Sequence, residues 1–125
     1  MDGNGYTILH RDEFEPMEGS GECTWRLARK SLGVTAMGMN MVEIGPGGQI
    51  PEHDETGREQ EEVFIVWSGD ATAVVDGSET AAPAGTFVRV SPEVRRTIRN
   101  DGDGPVRMLI VSAPVASGYE PMGWG

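Results

Sequence analysis

Short runs of alternating apolar residues, separated by glycine- and proline-rich turns, set the strongest limit on how this chain folds. Residues 34–44, 62–67 and 106–112 have the composition and alternation of β-strands. Gly45-Pro46-Gly47-Gly48 forces a turn after the first run, and Asp76-Gly77 is a strong hairpin signal. Short strands with turns at roughly 8–12-residue spacing predict an all-β sandwich or barrel. A length of 125 residues predicts one domain.

Two segments allow more than one interpretation. Residues 22–31 have good helix propensity, but Cys23, Trp25 and Leu27 recur with a period of two, so we predict a strand. In residues 34–44, Met37, Met39 and Met41 share one face. We expect these methionines to fill the core or to form the apolar floor of a ligand pocket.

Charge and composition exclude several classes of partner. The chain has 10 basic and 20 acidic residues, a net charge of −10, which argues against nucleic acid or an anionic membrane surface as a partner. No apolar run approaches about 18 residues, so no membrane span is expected. The N-terminal residues lack the pattern of a signal peptide, and the single Cys23 cannot form an internal disulfide. These features predict a cytoplasmic protein.

The strand at residues 62–67 is apolar on both sides. Glu62, Phe64 and Val66 alternate with Val63, Ile65 and Trp67, so both faces are expected to be covered. A second subunit would provide that cover, which predicts a homodimer. The alternative is that residues 6–9 lie across the strand.

Two spaced motifs resemble those of the cupin family. In the first, Gly47 is followed after five residues by His53-Asp54-Glu55, and Glu62 is followed after six residues by Gly69. In the second, Gly77, Pro83, Gly85 and Asn100 match the family pattern, with Arg96 at its histidine position. The resemblance implies a jelly-roll β-barrel, the double-stranded β-helix, as a single domain over residues 1–125. Its core would span about residues 34–112, with peripheral terminal segments.

A cupin resemblance also implies a metal site, from which this sequence departs. A typical site has three histidines and one carboxylate and suits Mn, Fe, Ni, Co or Zn. Here Glu55 replaces the second histidine, and Arg96, which cannot lose its proton, replaces the third. His53, Glu55 and Glu62 remain as candidate ligands of a divalent metal. The competing interpretation is an ion pair between Arg96 and Glu62 in place of the metal.

Alternation predicts that Glu62 and Arg96 point inward, on the same sides as Phe64 and Ile98. The predicted ligand-binding residues are His53, Glu62, Arg96 and Met39. The first functional hypothesis is a small cupin that binds a small anionic organic ligand and has a degenerate metal site. The alternative is a metal-dependent oxygenase, isomerase or decarboxylase of small organic acids. A third hypothesis is a structural or regulatory module that acts through a dimer face.

Overall fold

Two antiparallel sheets make up most of the computed structural model, which describes residues 1–125. A short 3-10 helix, Arg11–Glu13, and one α-helix, Ala28–Leu32 (α1), lie between the N-terminal strands. The strands, in chain order, are Asp2–Gly3 (β1), Tyr6–Thr7 (β2), Pro16–Glu18 (β3), Cys23–Arg26 (β4), Gly38–Ile44 (β5), Gln60–Ser68 (β6), Asp70–Val75 (β7), Ser78–Pro83 (β8), Phe87–Val90 (β9), Arg96–Arg99 (β10) and Val106–Pro114 (β11).

The core lies where the two sheets face one another. The large sheet has the order β3-β4-β5-β11-β6-β9, and the small sheet has the order β10-β7-β8. Side chains from both sheets form one buried cluster, in which Phe64, Ile98 and Val106 are fully buried. The all-β prediction is confirmed. The predicted closed barrel is not, because hydrogen bonding leaves two separate main sheets rather than one continuous ring.

Residues in the left-handed conformation fix two of the turns between strands. Asp76 (φ 53°) and Gly77 (φ 78°) join β7 to β8 in the two-residue hairpin that their sequence predicts. Gly69 (φ 89°) packs against the backbone of Pro105, where any β-carbon would collide with the carbonyl oxygen. This contact seats the end of β6 against the start of β11.

The methionine face of β5 is the outer face of the large sheet. Val42 and Ile44 are buried in the core, whereas Met39 and Met41, on the opposite face, are half-buried and Met37 is exposed. The expectation that these methionines fill the core is therefore wrong. Alternation identified the two faces correctly but could not tell which one points inward, because both are apolar.

The N-terminal segment contributes to the large sheet, although the sequence pattern predicts a core that starts near residue 34. Strand β4 pairs with β5, and its Cys23 is 1% exposed within the core. The predicted strand over residues 22–31 ends at Arg26, and α1 follows. Gly33 closes the helix in the left-handed conformation, where its N–H donates to the Arg29 carbonyl oxygen. No helix in the structure has the length and apolarity needed to cross a membrane.

Candidate metal and ligand site

A backbone bridge between two distant segments positions the candidate site. The N–H of His53 donates to the Arg96 carbonyl oxygen at 3.0 Å, and the N–H of Arg96 donates to the His53 carbonyl oxygen at 2.8 Å. This reciprocal pair fastens the loop that follows Ile50 to the first residue of β10. The histidine of the first motif and the arginine of the second are therefore paired directly opposite one another in an isolated antiparallel bridge.

Three potential metal-ligating side chains converge beside this bridge, and we call them the donor cluster: His53, Glu55 and Glu62. His53 Nε2 lies 3.3 Å from Glu55 Oε1 and 3.4 Å from Glu62 Oε1. The donor atoms of all three residues lie within 4.8 Å of one another. Glu62 reaches the cluster from β6 on the inner face that Phe64 shares, as alternation predicts.

Arg96 lies behind the donor cluster and is fully buried. Its Nε is 3.6 Å from Glu62 Oε1, and one Nη donates to the Ser91 carbonyl oxygen at 3.1 Å. Arg96 Nε, Arg96 Nη1 and Glu62 Oε1 have no hydrogen-bond partner. The two side chains meet inside the fold, but the bidentate hydrogen bonding that characterises a close arginine–carboxylate pair does not form.

The surroundings of His53 fix its tautomer and favour its protonated form. Nδ1 lies 2.8 Å from the Pro51 carbonyl oxygen, an acceptor only, so Nδ1 carries the proton and Nε2 faces the two carboxylates. The Glu62 carboxylate, whose Oε1 lies 3.4 Å from Nε2, raises the pKa of His53 above its usual value, and burial opposes part of that effect. A cation at Nε2, whether a proton or a metal ion, would therefore lie between two carboxylates.

A cavity of about 580 Å³ opens from the donor cluster. This volume is in the range of small-molecule sites. His53, Glu55 and Glu62 line it together with Phe64 and Ile110. Met39, predicted as a ligand-binding residue, also borders the cavity. Arg96, predicted for the same role, has no accessible surface and does not line the cavity, so it backs Glu62 rather than reaching a ligand there.

Three further residues line the cavity but were not predicted as site residues from the sequence: Trp25, Arg29 and Arg58. Trp25 shares the inward face of β4 with the buried Cys23, and this was visible as a period of two in the sequence. Arg29 projects from α1, and Arg58 from the turn that follows Glu55. No periodicity or motif in the sequence marks either arginine as a cavity residue. The packing of α1 and the course of the turn after Glu55 bring them to the cavity.

The family model of the cupin domain matches residues 40–112. This is more than half of the chain. The matched segment contains the donor cluster, Arg96 and all four glycines of the two motifs. The chain belongs to the cupin family. A comparison of this cupin with curated protein sequences gives no match.

Solved structures of other cupins share its fold at low sequence identity. A cupin protein from Bacteroides fragilis is 19% identical, with 98% of this chain and 94% of that chain covered and a TM-score of 0.77. A predicted oxalate decarboxylase from Thermotoga maritima is 16% identical, with 87% and 100% covered and the same TM-score. A sugar phosphate isomerase from Silicibacter pomeroyi is 20% identical, with 87% and 76% covered and a TM-score of 0.72. These similarities concern the fold.

The donor cluster of this cupin fits a divalent metal ion. Donors bound tetrahedrally at about 2.0–2.1 Å lie about 3.3–3.4 Å apart. The separations of His53 Nε2 from the two carboxylate oxygens are 3.3 and 3.4 Å. Glu62 Oε1 is buried without a hydrogen-bond partner, and the Pro51 carbonyl oxygen orients the imidazole in the way that backbone carbonyls orient metal-bound histidines. Three protein donors leave at least one coordination position open.

The raised pKa of His53 predicts how the stability of the metal-free protein depends on pH. The interaction of protonated His53 with the carboxylates stabilises the fold below the unfolded-state pKa of about 6.5 and is lost as pH rises through the higher folded-state pKa. In the His10→Gln variant, His53 is the only imidazole, and its NMR titration in the presence of a chelator should give a pKa above about 6.5. A midpoint at or below that value would contradict the arrangement.

Proposed function

We propose that this cupin binds a divalent first-row transition metal on its donor cluster and a small anionic organic ligand in the adjoining cavity. The observation that carries the proposal is the position of His53 Nε2, which faces two carboxylate oxygens at the spacing of metal ligands. A nitrogen and oxygen donor set of this kind suits Mn, Fe, Co, Ni or Zn. When bound, such a metal acts as a Lewis acid that polarises a carbonyl or carboxylate oxygen of the ligand.

The charges around the cavity favour an anionic ligand. Arg96 behind Glu62 adds one positive charge to the donor cluster, and Arg29 and Arg58 add two more at the cavity wall. With His53 neutral, these three guanidinium groups outnumber the two carboxylates, Glu55 and Glu62. Positive charge therefore predominates locally although the whole chain has a net charge of −10.

Replacement of a donor should weaken metal binding strongly. Glu62→Gln keeps the shape of the side chain but removes its charge, and we expect the affinity for Zn²⁺ or Mn²⁺ to fall by about 100-fold or more, because it removes a direct ligand. Isothermal titration of tag-free protein measures this change.

Glu61→Gln is the matched control for that titration. Glu61 is the adjacent residue on β6, is half-buried and pairs with Arg89, so its replacement removes the same charge outside the cluster. Wild-type and Glu61→Gln proteins should bind one equivalent of metal. Failure of the wild type to bind, or equal loss in both variants, would refute the metal site.

An enzymatic function is a second candidate, favoured by the open coordination position. Structural metal sites are usually closed by four protein ligands, whereas catalytic sites keep a position free for water or substrate. Glu55 accepts a hydrogen bond from Gln60 at 3.5 Å, and its side chain is 15% exposed at the cavity. A carboxylate so placed is within reach of a bound ligand and could serve as a base. The proposed reactions are oxygenation, isomerisation or decarboxylation of a small organic acid.

We also propose that the protein is a homodimer through the outer face of the large sheet. The apolar residues of that face include Val63, Ile65 and Trp67 on β6 and Phe87 on β9, of which Trp67 is 38% and Phe87 68% exposed. Exposed aromatic residues next to half-buried aliphatic ones are typical of an interface core. Residues 6–9 do not replace a partner here, since Tyr6 and Ile8 are themselves exposed, and the residue that lies over Trp67 is Arg11.

Sedimentation analysis tests the dimer. The wild type should have about twice the 13.4 kDa mass of one chain, and Phe87→Glu should shift it to the monomer, because an interface excludes an unpaired charge. Thr80→Glu, on the exposed face of β8 in the small sheet, should leave the mass unchanged. A monomeric wild type, or a Phe87→Glu variant that remains dimeric, would contradict the proposed interface.

A further inference from the structure

Most basic side chains of this protein lie beside a carboxylate, but the two arginines that line the cavity do not. Seven of the ten basic residues have a carboxylate oxygen within 4.0 Å. The three without one are Arg26, Arg29 and Arg58. Arg26 donates instead to the carbonyl oxygens of Asp12 and Phe14. Arg29 and Arg58 both line the cavity that contains the donor cluster.

Both arginines are exposed residues at the cavity, and one contact anchors the Arg29 guanidinium there. One Nη of Arg29 donates to the Val34 carbonyl oxygen at 3.2 Å, which anchors the guanidinium and leaves its remaining N–H groups available. Arg58 belongs to a turn whose backbone is fastened to the donor cluster, because the Arg58 N–H donates to the Glu55 carbonyl oxygen at 3.1 Å. Neither guanidinium group has a carboxylate partner, although the chain has twice as many acidic as basic residues.

A count of formal charges favours a ligand with more than one negative charge. Glu55 and Glu62 contribute −2, and Arg29, Arg58 and the buried Arg96 behind Glu62 contribute +3, with His53 neutral. A divalent ion on the donor cluster adds +2, so the net charge of the site is then +3. A dianion offsets more of this positive charge than a monocarboxylate does.

We propose that the cavity selects a small dicarboxylic acid, one of whose carboxylates is bound by Arg29 and Arg58 while the other lies at the donor cluster. The planar guanidinium fork binds a carboxylate through two parallel hydrogen bonds, which gives direction as well as charge. Trp25, Phe64 and Ile110 supply the apolar wall against which the carbon chain of such an acid packs. This inference rests on the proposed metal-binding function.

Calorimetric titration of the full-length, Zn²⁺-loaded protein tests the selection. Succinate, glutarate and adipate are compared with butyrate, pentanoate and hexanoate, so that each dicarboxylate has a monocarboxylate partner of equal carbon number. At least one dicarboxylate should bind at least about tenfold more tightly than its partner, because only the dicarboxylate has a second carboxylate that accepts charged hydrogen bonds from the guanidinium groups.

Charge-matched variants show whether the two arginines cause that preference. Arg29→Gln combined with Arg58→Gln should bring the affinity ratio close to one. Arg89→Gln combined with Arg95→Gln removes the same net charge from exposed pairs outside the cavity and should keep the ratio. If the first double variant does not fold, Arg58→Gln alone, in an exposed turn, should still lower the ratio.

The inference is overturned if no dicarboxylate is preferred, if the preference survives loss of Arg29 and Arg58, or if the control pair abolishes it equally. Zn²⁺ content, measured before any acid is added, separates this failure from failure of the proposed function. A protein that takes up no Zn²⁺ refutes both, whereas a protein that binds Zn²⁺ without preferring dicarboxylates refutes the inference alone.

Discussion

The two hydrogen bonds between the backbones of His53 and Arg96 are the constraint on which the site depends. They join a loop of the first motif to a strand of the second, across 43 positions of sequence. The loop carries His53 and Glu55, and β10 carries Arg96 against Glu62 of β6. Together with the bond from the Ile50 N–H to the Ile98 carbonyl oxygen and the bond from the Glu55 N–H to the Pro92 carbonyl oxygen, this bridge brings the four side chains to one place. The surrounding core, with Phe64 and Ile98 fully buried, makes the bridge rigid.

Arg96 explains how two carboxylates can lie close together in a partly buried place. Like charges at this range raise the free energy of the folded state unless a positive group compensates them. The guanidinium lies 3.6 Å from Glu62 Oε1 and remains charged at every pH of interest. The metal and the ion pair, which the sequence presents as alternatives, are therefore compatible in the structure. Arg96 supplies a permanent positive charge behind Glu62. The side of the Glu62 carboxylate that faces His53 Nε2 remains available for a cation.

Alternation in the sequence predicted the parts of the site that lie on strands. It placed Glu62 and Arg96 on inward faces, and the motif spacing brought His53 and Glu55 beside them. Alternation could not predict which face of β5 is buried. The methionine face and the core face of that strand are both apolar, so the pattern does not distinguish them. Arg29 and Arg58 were missed because their positions follow from how α1 packs and from the path of the turn after Glu55, both of which are tertiary effects.

Anomalous X-ray diffraction from crystals grown with Zn²⁺ or Mn²⁺ tests the central claim most directly. The account predicts one strong anomalous peak per chain at bonding distance, about 2.0–2.2 Å, from His53 Nε2 and from a carboxylate oxygen of each of Glu55 and Glu62. The account would be contradicted if no anomalous peak appears at the donor cluster at saturating metal and His53 instead forms hydrogen bonds with the two carboxylates. A peak ligated by other residues would contradict it equally.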